Sequence, residues 1–233
     1  MPTAPTETPA ATSAATPGFL ARNLEIFIAV LLGLVSISTA YASFQSALYD
    51  GQMTQKYTIG SNMATEAESL YLEGNQQYVQ DAQLFDRLTD LLLDGENPDP
   101  TIAATALEKY DVIYFQSVSD EFDAAIAWAD EQNAADPEFW YSPLNNDDYL
   151  NYLFGNYYDA KDLADATIAE GDIANGLSDR LTLNTVLMAI SLFLLGVAAV
   201  VRQTRVKVIL GSVAIAIFVT AAMLTAFIPF IGL

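Results

Sequence analysis

The chain has 233 residues, 52% of them apolar, and its 29 acidic against nine basic side chains leave a net charge of −20, with no cysteine and no histidine. The missing residue types exclude disulfides, thiolate and imidazole metal sites, and any mechanism that needs a histidine base or a cysteine nucleophile. The acidic excess excludes nucleic acid as a partner, since a polyphosphate is repelled by it.

Charge is sorted along the chain. Between Tyr49 and Leu181 lie 27 of the 29 acidic residues and five basic ones, a net −22, while everything else sums to +2. Residues 1–20 open with MPTAPTETPAATSAATPG, a stretch of Pro, Ala and Thr without an aromatic. Such a composition buries no core, and a disordered cytoplasmic tail is expected, with a docking peptide for a cytoplasmic partner as the sharper alternative.

An apolar run at 24–42 follows, with Glu25 the one charge and at its edge. With its flanks it predicts a transmembrane helix over 21–46, since about 20 apolar residues cross ~30 Å of hydrocarbon. Ala40-Tyr41-Ala42 has the small-x-small form of a signal-peptidase site. The run is longer than a usual signal core, which favours an uncleaved anchor. Ala29, Gly33, Ser36, Ala40, Ser43 and Ala47 recur at spacings of three and four, with Thr39 and Ser46 alongside. A stripe of small and hydroxyl-bearing residues suits close helix packing. The alternative is a hydroxyl-lined pore built from several copies. Gln45 is polar near the outer end of this span, and Asn184 sits at similar depth in the second, so the two are a candidate intramembrane polar pair. No charged residue lies deep in a span, which argues against a proton relay there.

Beyond the membrane, residues recur on one face as Met53, Tyr57, Gly60, Ala64, Ala67, Tyr71, Gly74, Tyr78, Asp81, Phe85, Leu88 and Leu92. The three-four alternation is coiled-coil-like and passes Gly74 without slipping, so one helix from about 22 to 93, roughly 105 Å, is favoured over a break at Gly74. Asp81 does not fit the face. Asp94-Gly-Glu-Asn-Pro-Asp-Pro100 makes a turn. Asp94, Glu96, Asn97 and Asp99 gather oxygen ligands there, so Asp94, Glu96 and Asp99 are weak Ca²⁺ candidates. The spacing is not that of an ordered Ca²⁺ loop, and a solvated helix-capping turn is the plainer reading. No dedicated metal site and no cofactor are expected.

A second outer helix is predicted from about 101 to 134, with Asp120, Glu121 and Asp123 as a wet acidic side. Pro137 and Pro143 interrupt the helix between 136 and 144. A third outer helix starts at Asn146, an N-cap with Asp147 and Asp148 in the first turn. It runs on into the second span, loosened near Gly171 and Gly176. Phe139, Trp140, Tyr141, Tyr149, Tyr152, Tyr157 and Tyr158 are expected in core or inter-subunit packing, with a ligand or partner surface as the second reading. The second span is 182–201, a tight turn with Arg202 and Arg205 fills 202–205, and the third span is 206–230, with Lys207 at its edge. Arg22 and the basic turn belong in the cytoplasm, which places residues 47–181 and the C-terminus outside.

The segment LEIFIAVLLGLVSISTAYASFQSALYDGQ at 24–52, the later FDAAIAWADEQNAADPEFW and the closing pair of spans around a basic turn resemble a family of uncharacterised prokaryotic three-pass membrane proteins with a helical extracytoplasmic domain. The resemblance covers most of the chain and implies topology and a prokaryotic cell membrane, with no catalytic residues. The reading is therefore all-α: three transmembrane helices with a long-helix extracytoplasmic bundle or stalk. A non-enzymatic, self-associating scaffold or accessory protein is expected, in contact with membrane lipid and open to an unidentified membrane or extracytoplasmic protein partner. The rival is a homo-oligomeric channel-like pore lined by the first span, with the acidic domain as a cation-attracting vestibule.

Overall fold

The computed structural model describes residues 19–232. The expected tail lies outside the described residues up to position 18, and its last two positions already belong to the first helix. The described residues contain no strand. Five α-helices follow in order: α1 Phe19–Gly95, α2 Pro100–Ser117, α3 Asp120–Ala135, α4 Asp147–Val200 and α5 Thr204–Ala226, with a short 3-10 turn at Pro143–Asn145. Three of them, α1, α4 and α5, are long and apolar enough to cross a membrane.

Two compact units divide the chain: one contains α1 up to Gln52, α4 from Ile173, and α5; the other runs from Met53 to Asp172. In the first, α1 buries Ile28, Val35, Ala42 and Tyr49, a strict seven-residue repeat that keeps one helix face on its neighbours. Segment α4 buries Leu181, Met188 and Leu195 at the same interval, and α5 buries Ala214 and Ala221. Contact pairs fix the directions. Ser46 meets Ser178 and Thr182, which joins α1 to α4 here, and in the second unit Gly60 lies against Ala164 and Gly74 against Leu153, so α1 and α4 run antiparallel there. Glu25 meets Lys207 and Tyr49 meets Pro229, so α1 and α5 run parallel.

In the second unit α1 continues without a break at Gly74. A side chain there would not fit: a Cβ on Gly74 would run into the Leu153 carbonyl group, with the carbonyl carbon 3.2 Å away. Gly60 serves the same close approach, its Cβ position lying 3.2 Å from the Ala164 carbonyl oxygen. The glycines are therefore seam residues and not helix stops. Helix α4 is likewise unbroken through Gly171 and Gly176, against the expected loosening. At Gly171 the Tyr57 ring fills the space, only 2.6 Å from where a Cβ would sit.

The second outer helix is corrected to two. Between 101 and 134 the chain breaks at Val118-Ser119, where both residues are extended. Ser119 caps α3 by accepting a hydrogen bond from Phe122 N at 3.2 Å, and Asp120, Glu121 and Asp123 fill the first turn. Negative charge there complements the helix dipole. The acidic run is thus a helix start and not the flank of a longer helix. The break settles the path of the chain: α2 returns along α1, α3 rises again and α4 descends, an up-down-up-down course without a break in α1. The core between them is Phe122, Ala125, Tyr149 and Leu153, with Tyr78, Phe85, Val118, Ile126, Leu144 and Phe154 packed around it. Asn146 starts α4 as expected, accepting from Tyr149 N at 2.8 Å.

Candidate functional site

The polar groups of the first unit are concentrated in its seam. Ser46 is buried, and its hydroxyl lies 2.9 Å from the Ser178 hydroxyl and 3.0 Å from that of Thr182, while Ser178 Oγ also reaches the Ser46 carbonyl oxygen at 3.2 Å. In an apolar surround each hydroxyl needs such a partner, and together they tie α1 to α4. Ser191 does the same for α4 and α5, donating to the Ala214 carbonyl oxygen at 2.8 Å.

Gln45 and Asn184 are both buried, but Gln45 is committed elsewhere. Its amide nitrogen donates to the Ile231 carbonyl oxygen at 3.1 Å, and its oxygen accepts from Ile231 N at 3.0 Å. A carboxamide pairs with a peptide group in both directions at once. The backbone after α5 lacks helical partners, so it claims the side chain that Asn184 was expected to claim. Tyr49 closes the same end by donating to the Pro229 carbonyl oxygen at 2.7 Å.

The stripe on the first span is split. Ser46 lies in the seam and Thr39 is half-buried, returning its hydroxyl to the Val35 carbonyl oxygen at 2.7 Å. Gly33, Ser36, Ala40 and Ser43 are exposed, as are Ala29 and Ala47. No atom lies within 4 Å of a Cβ placed on Gly33. Ser36 bonds its own helix, to the Leu32 carbonyl oxygen at 2.7 Å. The within-chain seam is built from Ile28, Val35, Ala42 and Tyr49 instead, and the small face is left open.

At the opposite end, Lys207 is 7% exposed, and its ammonium meets Glu25 at 3.3 Å. The two charges at the edges of the apolar segments thus face each other, a pairing that sequence spacing alone did not disclose.

In the second unit, Asp81 accounts for itself. It is 2% exposed, accepts from Tyr149 Oη at 2.6 Å on one oxygen, and from Gln77 Nε2 at 3.0 Å on the other. Burial, and then this bond, push the Tyr149 hydroxyl well above the usual tyrosine range, so it stays a donor. Its sequence cue was a carboxylate on an apolar face, with a tyrosine at the mirrored position of the antiparallel partner. Tyr57 donates to Asp172 at 2.6 Å, and Lys56 pairs with Glu170 at 2.5 Å, both between α1 and α4. Tyr114 donates to Asp123 across the α2–α3 hairpin.

Among the metal candidates, Asp99 is occupied as the N-cap of α2, accepting from Thr101 N at 2.9 Å, and Asn97 accepts from Asp99 N at 3.0 Å. Among the described residues no three carboxylates converge as a metal would require. Of the aromatic cluster, Tyr149 is core, Tyr157 packs on Tyr71 at 5.2 Å between ring centroids, and Tyr141 is pinned to α3 through mutual bonds with Asn133 at 2.7 and 2.9 Å. Phe139, Trp140, Tyr152 and Tyr158 are exposed, so within one chain they do not serve the core. Comparison with protein-family models, with curated proteins and with solved structures finds no match to this chain.

Proposed function

We propose that the protein is a non-enzymatic, self-associating membrane scaffold or accessory protein, with α1, α4 and α5 as its membrane spans and the acidic helical unit presented outside the cell. The observation that carries the reading is the open face of α1. Ala29, Gly33, Ser36, Ala40, Ser43 and Ala47 are all exposed, while Ile28, Val35, Ala42 and Tyr49 of the same helix are buried against the chain's own helices. A spanning helix gains little from small residues toward lipid, and much from them where another backbone approaches. The Ser36 hydroxyl turned back on its own helix leaves a smooth surface for that approach. Orientation is carried by Arg202, Arg205 and Lys207 in and beside the turn between α4 and α5, with the −22 segment on the far side.

Native mass spectrometry of the detergent-purified chain tests assembly. An oligomer is expected, shifted toward monomer by Ser36→Leu and by Ala40→Leu, which widen the face without entering the chain's own seam. A monomeric unmodified chain refutes the reading. Cysteine at Asp94, labelled by an impermeant maleimide on intact cells, tests the orientation, and labelling only after lysis reverses it.

A further inference from the structure

The end of the three-helix unit that holds Glu25 and Lys207 contains a cavity of about 240 Å³, whose polar lining is Glu25, Arg202, Thr204 and Lys207. Two apolar grooves open from it. One, of about 530 Å³, runs along Phe193, Gly196 and Val197 and shares Val200 and Val201 with the cavity. The other, of about 90 Å³, passes between α1 and α5 along Phe27, Leu31, Gly211 and Ile215, and shares Leu24 and Lys207 with it.

Charge in the cavity is two cations against one carboxylate. The Glu25 contact, at 3.3 Å, occupies one of the three ammonium protons of Lys207 and is longer than the 2.7–2.9 Å of a strong charge-assisted bond. Helix α5 begins at the same place, and its N-cap Gln203 makes no side-chain capping bond. The first N–H groups of α5 have no partner inside the helix, and Thr204 at its start borders the cavity. A cationic cavity at a helix start suits a phosphate. The larger apolar groove leaving it suits a hydrocarbon chain.

We propose that this end of the three-helix unit is a phospholipid site. The headgroup phosphate is held by Arg202, Lys207 and the start of α5, and an acyl chain lies along the groove at Phe193, Gly196 and Val197. The acyl-chain groove is lined by α4 and by Val201 just after it, so it is distinct from the proposed assembly face on α1. The inference requires only that the apolar helices are membrane spans.

The test is native mass spectrometry of the full chain in non-ionic detergent, titrated with phosphatidylglycerol and, separately, with diacylglycerol carrying the same chains. Phosphatidylglycerol is expected to be retained at least about tenfold more tightly, the scale of one or two charge-assisted bonds. Arg202→Gln should reduce retention by a similar factor, as should Lys207→Met made together with Glu25→Gln so that neither charge is stranded. Gly196→Leu should also reduce it while leaving every charge in place. Gly196 has open space where a Cβ would go. Equal retention of the two lipids, or unchanged retention in the charge variants, overturns the site. Displacement of the lipid by stoichiometric inorganic phosphate overturns the lipid assignment in favour of a free-phosphate site. Protomer number and lipid number are read from the same spectrum, so loss of self-association and loss of lipid are told apart.

Discussion

Tyr149→Phe removes one oxygen from the core of the acidic unit and leaves its shape intact. The hydroxyl it deletes lies 2.6 Å from an Asp81 oxygen, and both residues are 2% exposed, so water cannot replace the lost donor. Gln77 still serves the other oxygen. A hydrogen bond to a charged acceptor contributes about 1.5–3 kcal/mol, and a stranded buried partner puts the loss toward the upper end. For a chain of 150–250 residues each kcal/mol moves the melting temperature by about 2–4 °C, so a drop of roughly 3–12 °C is expected. Near-ultraviolet circular dichroism of the purified chain reads it, since the probe is aromatic packing. Tyr114→Phe is the internal control: Asp123 is exposed, water takes over, and the change should stay within about 0.5 kcal/mol. Adding Asp81→Leu to Tyr149→Phe should recover part of the loss, because no buried carboxylate then remains unpaired. If Tyr149→Phe and Tyr114→Phe melt together, the buried pair does not hold the unit.

Gly74→Ala should destabilise by about 1–3 kcal/mol in the same melts, because the new methyl meets the Leu153 backbone and not a flexible side chain; Gly176→Ala, with open space around it, should be neutral or stabilising. Ser119→Ala removes the cap of α3 and should cost about 1 kcal/mol, with Ser119→Asp retaining stability. Stability should fall as pH rises above about 10, the unfolded tyrosine value. Tyr149, Tyr114, Tyr110 and Tyr57 all hold their protons above it in the folded chain, the first three chiefly through burial and Tyr57 chiefly through its bond to Asp172. The unfolded chain then binds fewer protons than the folded one, so the slope is negative, and Tyr149→Phe should flatten it.

The long helix, the Asn146 cap and the three apolar spans were legible because each is written in local spacing: an unbroken three-four phase, an Asn before two aspartates, uncharged runs of spanning length. The break at Val118 was missed because Val-Ser carries no proline or glycine. Its cue was Ser119 followed by three acids in four residues, which reads equally well as a charged helix flank. Asp81 stood out as a misfit, but its partner lies 68 residues away and only antiparallel pairing brings Tyr149 to it. Gln45 needs a hydrogen-bond partner at its depth, and Asn184 is one candidate that the sequence offers. Side-chain depth pointed to Asn184, whereas the deciding group was a backbone segment after α5, which no residue pattern announces. The small stripe was read as a packing face, but spacing says nothing of whether the packing partner is in the same chain.

The α2–α3 hairpin also divides the acidic unit by how readily it opens. Helix α4 begins at the level of Asp81, and α1 runs on to Gly95, about 21 Å further at 1.5 Å per residue. Over that length α1 meets α3 through Phe85 on Phe122 and α2 through Gly95 beside Leu107. Breaking the Val118–Ser119 joint frees α2, while Phe122 and Ala125 keep α3 in the core beside Tyr149. Amide hydrogen exchange should therefore proceed in two steps, with α2 and the last turns of α1 exchanging as one cooperative group ahead of the Gly60–Asp81 stretch. Phe115, 89% exposed on α2, is the natural first site for a protease to report that opening.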